Sequence, residues 1–343
     1  MIDRIYAFSK DGESYEVYKL QNAQGAYAEI LTYGGRVHSL CVPDKEGKLL
    51  DVIVGCKNYE DYLHPNPNFG ATIGRYGNRI GGGGFTLNGV YYPLEINENG
   101  NTLHGGTTGA FSRKAWRAEV CKETLVLSYT SPDGEGGFPG KLEARVFFTL
   151  TNENALVIEY GAVSDKDTVC NLTNHSYFNI GYQDTVLQQE LMIKSRQITP
   201  VDDDLIPHGE FMDIDNTPYS FYEAKVLGKD MFSNAPLIAR CKGYDFNYCL
   251  QRAGEGLEYF ASVYDKESGI KMDCYTTLPG VQLYTACKTG GFKGKKNYIN
   301  HCALCLETQS YPNSPNCPSY PSTLLKAGDK YSATTVYKFS VEK

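Results

Sequence analysis

Residues 142–160 read LEARVFFTLTNENALVIEY, and apolar side chains occupy every second position of two successive runs within them. A period of two is typical of a β-strand that buries one face and exposes the other. The same alternation recurs at residues 125–129 and again at residues 331–341. We therefore predict antiparallel strands in all of these segments, each with one face in the core.

A turn signal and the scarcity of helical patterns extend this prediction to the whole chain. Asn88-Gly89 separates two short apolar runs, and both residues tolerate the positive φ angles of a two-residue hairpin turn. Helical periodicity is confined to short segments at residues 57–64 and 222–227, which disfavours an alternating βαβ fold. The sequence predicts an all-β protein with few short helices, a large antiparallel β-sandwich that forms a single domain over residues 1–343.

Composition narrows the choice of partners and compartment. The formal net charge of −7 provides no basic field for a phosphate backbone, so we expect no nucleic-acid partner. No apolar run has the length of a membrane span, so we expect no membrane partner either. Eleven cysteines scattered singly resemble reduced core thiols, which favours a cytoplasmic location. Cys302 and Cys305 have C-x-x-C spacing but lack the second pair of a zinc site.

Five polar segments interrupt the strand pattern, and they hold two of the six histidines of the chain, His104 and His175. A lone histidine at a strand end is more often a hydrogen-bonded structural residue than a catalytic one. Glu307, in a Leu-Glu-Thr run, has a similar structural interpretation as a strand residue that faces solvent. The five segments are GRYGNRI at 74–80, NTLHGG at 101–106, NLTNHSYFNI at 171–180, GYDFNY at 243–248 and CLETQSYPNSPN at 305–316.

Taken together, the five segments resemble the aldose 1-epimerase (galactose mutarotase) family across almost the entire chain. The resemblance includes their order and the 25-residue step from Arg79 to His104. It implies a β-sandwich of the galactose mutarotase type, with an open cleft that holds a monosaccharide. The implied activity is interconversion of the α and β anomers of free hexoses, without a cofactor or a metal ion.

The resemblance also implies roles for individual residues. Glu307 corresponds to the general base of the family, and His175 corresponds to its general acid. Opening a sugar ring requires that the C1 hydroxyl lose a proton while the ring oxygen gains one, so one base and one acid are sufficient. The residues expected to hold the sugar are Arg79, His104 and Asp245, with Asn78 and Gln309 as further candidates at neighbouring motif positions.

The chain departs from the family pattern at four positions close to these residues. Tyr76 and Gly77 lie within the Arg79 motif, Phe246 follows Asp245, and Asn313 stands where an aspartate is usual. The acid and the base are retained, so the departures bear on which hexose, glucose or galactose, is preferred. The expected partner is a monosaccharide substrate, and the expected assembly is a monomer or a weak homodimer.

The charge states of the acid and base set a further expectation. A glutamate and a histidine with ordinary pKa values of about 4.3 and about 6.5 would both be correctly charged only at mildly acidic pH. We expect nearby carboxylate charge, from Asp245 or Glu307, to raise the pKa of His175. The rate profile would then be bell-shaped and would reach above neutrality.

Three alternative functions remain open at the level of sequence. A hexose-6-phosphate 1-epimerase would need cations for its substrate, and the lysines of residues 293–296 could supply them. A non-catalytic sugar-binding module could share the same fold, although it would not need both Glu307 and His175. A glycoside hydrolase would use paired carboxylates such as Glu307 and Asp245.

Overall fold

The computed structural model describes residues 1–342 and consists largely of antiparallel β-strands arranged in three main sheets. The first sheet lies at the N-terminus and contains five strands in sequential order. These strands are β1 (Ile2–Lys10), β2 (Glu13–Gln21), β3 (Tyr27–Leu31), β4 (Arg36–Pro43) and β5 (Leu49–Asp51).

The second sheet has nine strands and contains all the segments predicted from alternation. Its order is β12-β13-β14-β15-β29-β25-β24-β19-β22. Every second residue of β14 is buried, from Leu142 to Leu150, so the alternating face predicted from the sequence is confirmed as the core face. The strands are β12 (Arg117–Cys121), β13 (Thr124–Ser131), β14 (Leu142–Leu150), β15 (Ala155–Ser164), β19 (Glu190–Ile193), β22 (Lys225–Val226), β24 (Glu258–Tyr264), β25 (Ile270–Thr276) and β29 (Lys330–Val341).

The third sheet carries polar residues on one face and apolar residues on the other. Its order is β21-β20-β23-β26-β27. Phe246, Leu283 and Leu306 of this sheet belong to the same apolar cluster as Ile30 of the first sheet and Val146 of the second. The opposite face is therefore free to carry polar side chains. The strands are β20 (Ser195–Thr199), β21 (Met212–Asp213), β23 (Asp245–Leu250), β26 (Gly280–Tyr284) and β27 (Cys305–Gln309).

The remaining ten strands form five two-stranded pairs. The hairpin predicted at Asn88-Gly89 is confirmed, with φ angles of 52° and 77° at its two turn residues. The pairs are β6 (Ile53–Val54) with β18 (Tyr177–Phe178), β7 (Thr72–Ile73) with β17 (Thr173–Asn174), β8 (Arg79–Ile80) with β11 (Thr102–Leu103), β9 (Gly84–Leu87) with β10 (Val90–Pro93), and β16 (Thr168–Val169) with β28 (Leu324–Leu325).

Helical structure is as scarce as predicted, but one of its two predicted positions is wrong. Residues 57–64 contain a short 3₁₀ helix, whereas residues 222–227 contain the edge strand β22, which pairs with β19. Among the described residues the one α-helix is α1 (Pro236–Cys241), and none of their helices is long and apolar enough to cross a membrane. The 3₁₀ helices are Glu60–Leu63, Gly81–Gly83, Phe111–Arg113, Glu135–Gly137, Leu227–Lys229 and Ser314–Asn316.

Candidate active site

One cavity of ≈ 170 Å³ gathers most of the residues predicted to form a site. Its volume suits a single monosaccharide ring. Gln309 does not line it: the residue is fully buried on β27, and its amide has no hydrogen-bond partner within residues 1–342. The other six predicted residues all line the cavity, namely Glu307, His175, Arg79, His104, Asp245 and Asn78.

Glu307 and His175 face each other inside this cavity. The distance from His175 Nε2 to Glu307 Oε1 is 3.6 Å, and the two side chains are only 7% and 3% exposed, respectively. This separation exceeds a hydrogen bond, so the two groups lie close together without being bonded. In the described chain, Glu307 Oε2 and His175 Nδ1 are buried and have no hydrogen-bond partner. The pair therefore keeps proton-accepting and proton-donating capacity that no hydrogen bond within the described chain uses.

The fold fixes both members of the pair. Glu307 lies in the middle of β27, where strand alternation directs it to the polar face of the third sheet. His175 follows β17, and its backbone N–H and C=O are both hydrogen-bonded to the segment at Gly70 and Ala71. The His175 ring also stacks on Tyr177, with centroids 4.8 Å apart and planes at 5°. Backbone pairing and stacking together hold the imidazole against the carboxyl group.

Burial shifts the pKa values of the two groups in opposite directions. Burial raises the pKa of Glu307 well above its ordinary value, the charge of Asp245 adds to this, and Arg79 opposes it. Burial lowers the pKa of His175 to about 3. The expectation that neighbouring carboxylates raise the pKa of His175 is therefore wrong. The physical reason is that loss of hydration penalises the imidazolium and the charge of Arg36 adds to this penalty, while only a backbone hydrogen bond opposes it.

His104 is positioned by the backbone of Asn78, the residue before β8. Its Nδ1 accepts a hydrogen bond from the Asn78 N–H at 3.1 Å, and its own N–H donates to the Asn78 carbonyl at 3.0 Å. Both residues adopt positive φ angles, 53° and 63°. Burial, reinforced by His175 and Arg79, lowers the pKa of His104, so the ring is neutral. With Nδ1 accepting, the hydrogen lies on Nε2, and His104 is a hydrogen-bond donor toward the cavity.

The same tautomer bears on metal binding. His104, His175 and Glu307 offer ligand atoms that all lie within 4.8 Å of one another. A metal ion needs a ring nitrogen that carries no hydrogen, whereas Nε2 of His104 carries one as long as Nδ1 accepts from the backbone. The three side chains therefore do not fit a metal centre without breaking the Asn78 hydrogen bond.

Arg79 and Asp245 both line the cavity, and each is held by a side-chain hydrogen bond. Arg79, on β8, donates through Nε and Nη2 to the two oxygens of Glu98, at 2.5 and 3.2 Å. Asp245, at the start of β23, accepts from Gln282 Nε2 at 2.6 Å. Burial disfavours the charge of Arg79, but Asp245 and Glu98 together raise its pKa. Desolvation raises the pKa of Asp245, although Arg79 and Gln282 oppose this shift.

Several cavity residues were not among the predicted ones. Tyr177 lies two residues after His175 in a conspicuous sequence motif, so its position offered a signal. Gln282 does not line the cavity but bonds Asp245, and it lies next to Val281 in the VQLYT motif. Glu98 lies outside every such motif, and no sequence feature distinguishes it. The cavity is further lined by Pro67, Asn68, Leu103, Tyr284 and Lys288.

The departures from the family pattern lie outside the cavity. Tyr76 is fully buried among apolar residues, and its hydroxyl donates to the Tyr311 carbonyl at 3.0 Å. Phe246 is buried in the main core. Asn313 accepts from the Gly81 N–H at 2.9 Å and so holds the glycine-rich turn. Tyr76, Phe246 and Asn313 therefore pack behind the site and do not line the cavity.

The lysine loop at residues 293–296 does not line the cavity either. Lys295 Nζ bonds the carboxylate of Asp51 at 2.6 Å, and Lys296 Nζ bonds that of Asp184 at 2.7 Å. Two of the three lysines are thus engaged in ion pairs elsewhere. The loop does not supply the cations that a hexose 6-phosphate would need at this site.

Comparison with known proteins gives a consistent result. The family model described as Aldose 1-epimerase matches residues 16–338. The galactose mutarotase of Sus scrofa is 39% identical over 331 residues, covering 95% of this chain and 94% of that protein. The aldose 1-epimerase of Escherichia coli (strain K12) is 33% identical over 348 residues, covering 100% of both chains.

Solved structures agree at the level of the fold. The GalM/aldose epimerase homologue from C. elegans superimposes with a TM-score of 0.88 at 26% identity, covering 96% of this chain and 100% of that one. A galactose 1-epimerase from Lactobacillus acidophilus superimposes with a TM-score of 0.89 at 23% identity, covering 100% and 99%. Both similarities extend over nearly the whole chain.

Proposed function

This chain belongs to the aldose 1-epimerase family, and we propose that it interconverts the α and β anomers of free hexoses with Glu307 and His175 as the acid–base pair. The observation that carries the assignment of the pair is the 3.6 Å approach of the carboxyl group and the imidazole inside a monosaccharide-sized cavity. A reaction that moves one proton off a hydroxyl and one onto a ring oxygen needs these two groups and no redox step.

In the proposed reaction, Glu307 removes the proton of the C1 hydroxyl while His175 donates a proton to the ring oxygen O5. The C1–O5 bond breaks and leaves an open-chain aldehyde. Rotation about C1–C2 presents the other face of the aldehyde, and the O5 hydroxyl returns its proton to His175 as the ring closes. Glu307 returns its proton to the former aldehyde oxygen, which becomes the new C1 hydroxyl, so both groups regain their starting states. Each proton transfer contributes a factor of about 10² to 10⁴ in rate.

The remaining cavity residues are proposed to orient the sugar. Arg79 and Asp245 line the cavity and provide charge-assisted hydrogen bonds to neutral hydroxyls. His104 donates through Nε2, since its Nδ1 accepts from Asn78. Fixing the ring between these groups lowers the entropic part of the barrier, because C1 and O5 are held beside the two proton-transfer groups.

The shifted pKa values give a prediction for pH dependence. The pair Glu307–His175 can hold one proton in either of two forms, both neutral or both charged, and the ratio of these forms does not change with pH. We therefore expect kcat/KM to stay flat through about pH 4.3 and about pH 6.5, the ordinary pKa values of the two groups. The rate should fall on the acid side only near the pKa of about 3 of His175. On the alkaline side, it should fall at the raised pKa of Glu307.

The profile is measured by polarimetry at constant ionic strength, with circular dichroism at each pH to confirm that the protein is folded. Circular dichroism is needed because the pKa of His175 is lower in the folded protein than in the unfolded chain. Below pH 6.5 the unfolded chain therefore binds more protons than the folded protein, and this group destabilises the fold as pH falls. An inflection of kcat/KM near pH 6.5 in folded protein would show that His175 has an ordinary pKa, and it would contradict the inference that burial lowers this pKa.

The proposed activity itself is tested with freshly dissolved α-D-galactose and α-D-glucose. Optical rotation should relax to equilibrium faster than the spontaneous reaction, in proportion to enzyme concentration. Aryl glycosides should release no phenol, which separates this activity from glycoside hydrolysis. Unchanged relaxation of both sugars at high enzyme concentration would refute the proposed function.

Domain organisation, compartment and assembly complete the proposal. A family match that spans residues 16–338 supports a single domain. All eleven cysteines are free, and ten of them are buried, which supports a reducing compartment such as the cytoplasm. We propose a monomer or a weak homodimer, since the six site residues on the cavity wall all come from this chain.

A further inference from the structure

The cavity contains an ion pair, Arg79–Glu98, and the proposed reaction gives a role only to Arg79. Glu98 lines the cavity and binds two nitrogens of Arg79, which is a residue proposed to hold the sugar. The Arg79 side chain is only 7% exposed, while that of Glu98 is 25% exposed. Glu98 thus lies at the more open end of the pair, where it meets both Arg79 and an entering ligand.

A tight turn holds Glu98 in this position. Glu98 and Asn101 exchange backbone hydrogen bonds of 2.7 and 3.2 Å across Asn99 and Gly100, whose φ angles are 45° and 82°. Positive φ at both central residues is the requirement of a type I′ turn. Asn101 Oδ1 also accepts from the Gly82 N–H at 2.9 Å and ties the turn to the glycine-rich segment. These hydrogen bonds therefore fix the backbone that carries the Glu98 carboxylate.

Glu98 balances the charge of the cavity. The lining contains two cationic side chains, Arg79 and Lys288, and two carboxylates outside the catalytic pair, Glu98 and Asp245. The catalytic pair shares one proton and so adds no net charge in either of its forms. With Glu98 the cavity is neutral, and without it the cavity would carry one positive charge.

On this basis we propose that Glu98 restricts the site to uncharged sugars and excludes hexuronates and hexose phosphates. The inference rests on the proposed function and names its substrate class. Two nitrogens of Arg79 are already engaged by a carboxylate, so an anionic group that approaches Arg79 would have to displace Glu98 or lie beside it. Either arrangement is unfavourable, because charges a few ångströms apart in a partly buried site are weakly screened.

The test compares two substrates that differ only at C6, D-galactose and D-galacturonate. In the wild-type enzyme, kcat/KM for anomerisation should be much lower for galacturonate. In Glu98→Gln, the ratio of the galacturonate value to the galactose value should rise about tenfold, the change produced by roughly 1.4 kcal/mol of removed repulsion. D-glucose 6-phosphate measured against D-glucose should shift in the same direction and further, because the phosphate carries more charge.

Matched variants show whether a change in the substrate ratio comes from the charge of Glu98, from the shape of its side chain or from impaired folding. Glu98→Asp keeps the charge and should keep the wild-type ratio. If Glu98→Gln has a lowered Tm, the test is repeated with Glu98→Ala, in which water replaces the carboxylate beside Arg79. Glu13→Gln removes an exposed charge at the start of β2, outside the cavity, and should leave the ratio unchanged.

The outcomes distinguish this inference from the proposed function. If wild-type protein accelerates galactose anomerisation but removal of the Glu98 charge leaves the ratio unchanged, the role of Glu98 is refuted while the function stands. The same conclusion follows if Glu98→Asp shifts the ratio as much as Glu98→Gln does. If wild-type protein accelerates no neutral hexose, the proposed function fails instead.

Discussion

Replacing Glu307 by glutamine is expected to lower kcat for the anomerisation of galactose by about 10²- to 10⁴-fold. The amide has nearly the volume of the carboxyl group but cannot take a proton from the C1 hydroxyl. Folding should be preserved, because burial already opposes a charge at this position and the neutral amide does not incur that cost. The measurement is polarimetry on α-D-galactose after subtraction of the spontaneous rate.

A matched control is Glu159→Gln in β15, which makes the same chemical change at an exposed strand position outside the cavity. Its kcat and Tm should equal those of the wild-type protein. Wild-type turnover by Glu307→Gln would show that another group removes the C1 proton, and the assignment of the base would be wrong.

Replacing His175 by asparagine is also expected to lower kcat by about 10²- to 10⁴-fold. Asparagine can donate a hydrogen bond to the ring oxygen but cannot transfer a proton to it. Because the imidazole stacks on Tyr177, the smaller side chain also removes packing. His175→Phe restores an aromatic ring beside Tyr177 without a titratable group and should be equally inactive.

Combining the two changes tests whether the residues act as one unit. The double variant Glu307→Gln/His175→Asn should be little slower than either single variant, because removal of one member already abolishes the concerted transfer.

His64→Asn, at an exposed histidine after the first 3₁₀ helix, provides the control for the His175 substitutions. Full activity of a folded His175→Phe protein would assign the general acid to another group.

The strands were predictable because their signal is local. In β14 and β15 a period of two in apolar side chains marks the core face, and the structure buries that face. The prediction failed where pairing with a distant part of the chain decides conformation. Residues 222–227 have a short helical pattern, yet Lys225 and Val226 pair with β19, more than thirty residues earlier. Helix α1 has only six residues, which is too short for a helical period to be visible.

The residues of the candidate site could be predicted by type, but their electrostatics could not. Motifs and the family resemblance pointed to Glu307, His175 and Asp245, which do line one cavity. The pKa of His175 was predicted in the wrong direction, because a sequence shows which charges exist but not how much water surrounds them. Glu98 escaped notice for a related reason: its importance comes from contact with Arg79, nineteen positions away.

The sequence by itself determined that this chain forms antiparallel strands and that it carries an acid, a base and several hydroxyl-binding side chains of the required types. Only the tertiary structure decided that β27 and the segment after β17 bring Glu307 within 3.6 Å of His175. It also decided that this pair is desolvated and that Glu98 compensates the charge of Arg79. The physical reason is range: side-chain alternation operates between neighbours in the chain, whereas burial and Coulomb energy depend on distances in space.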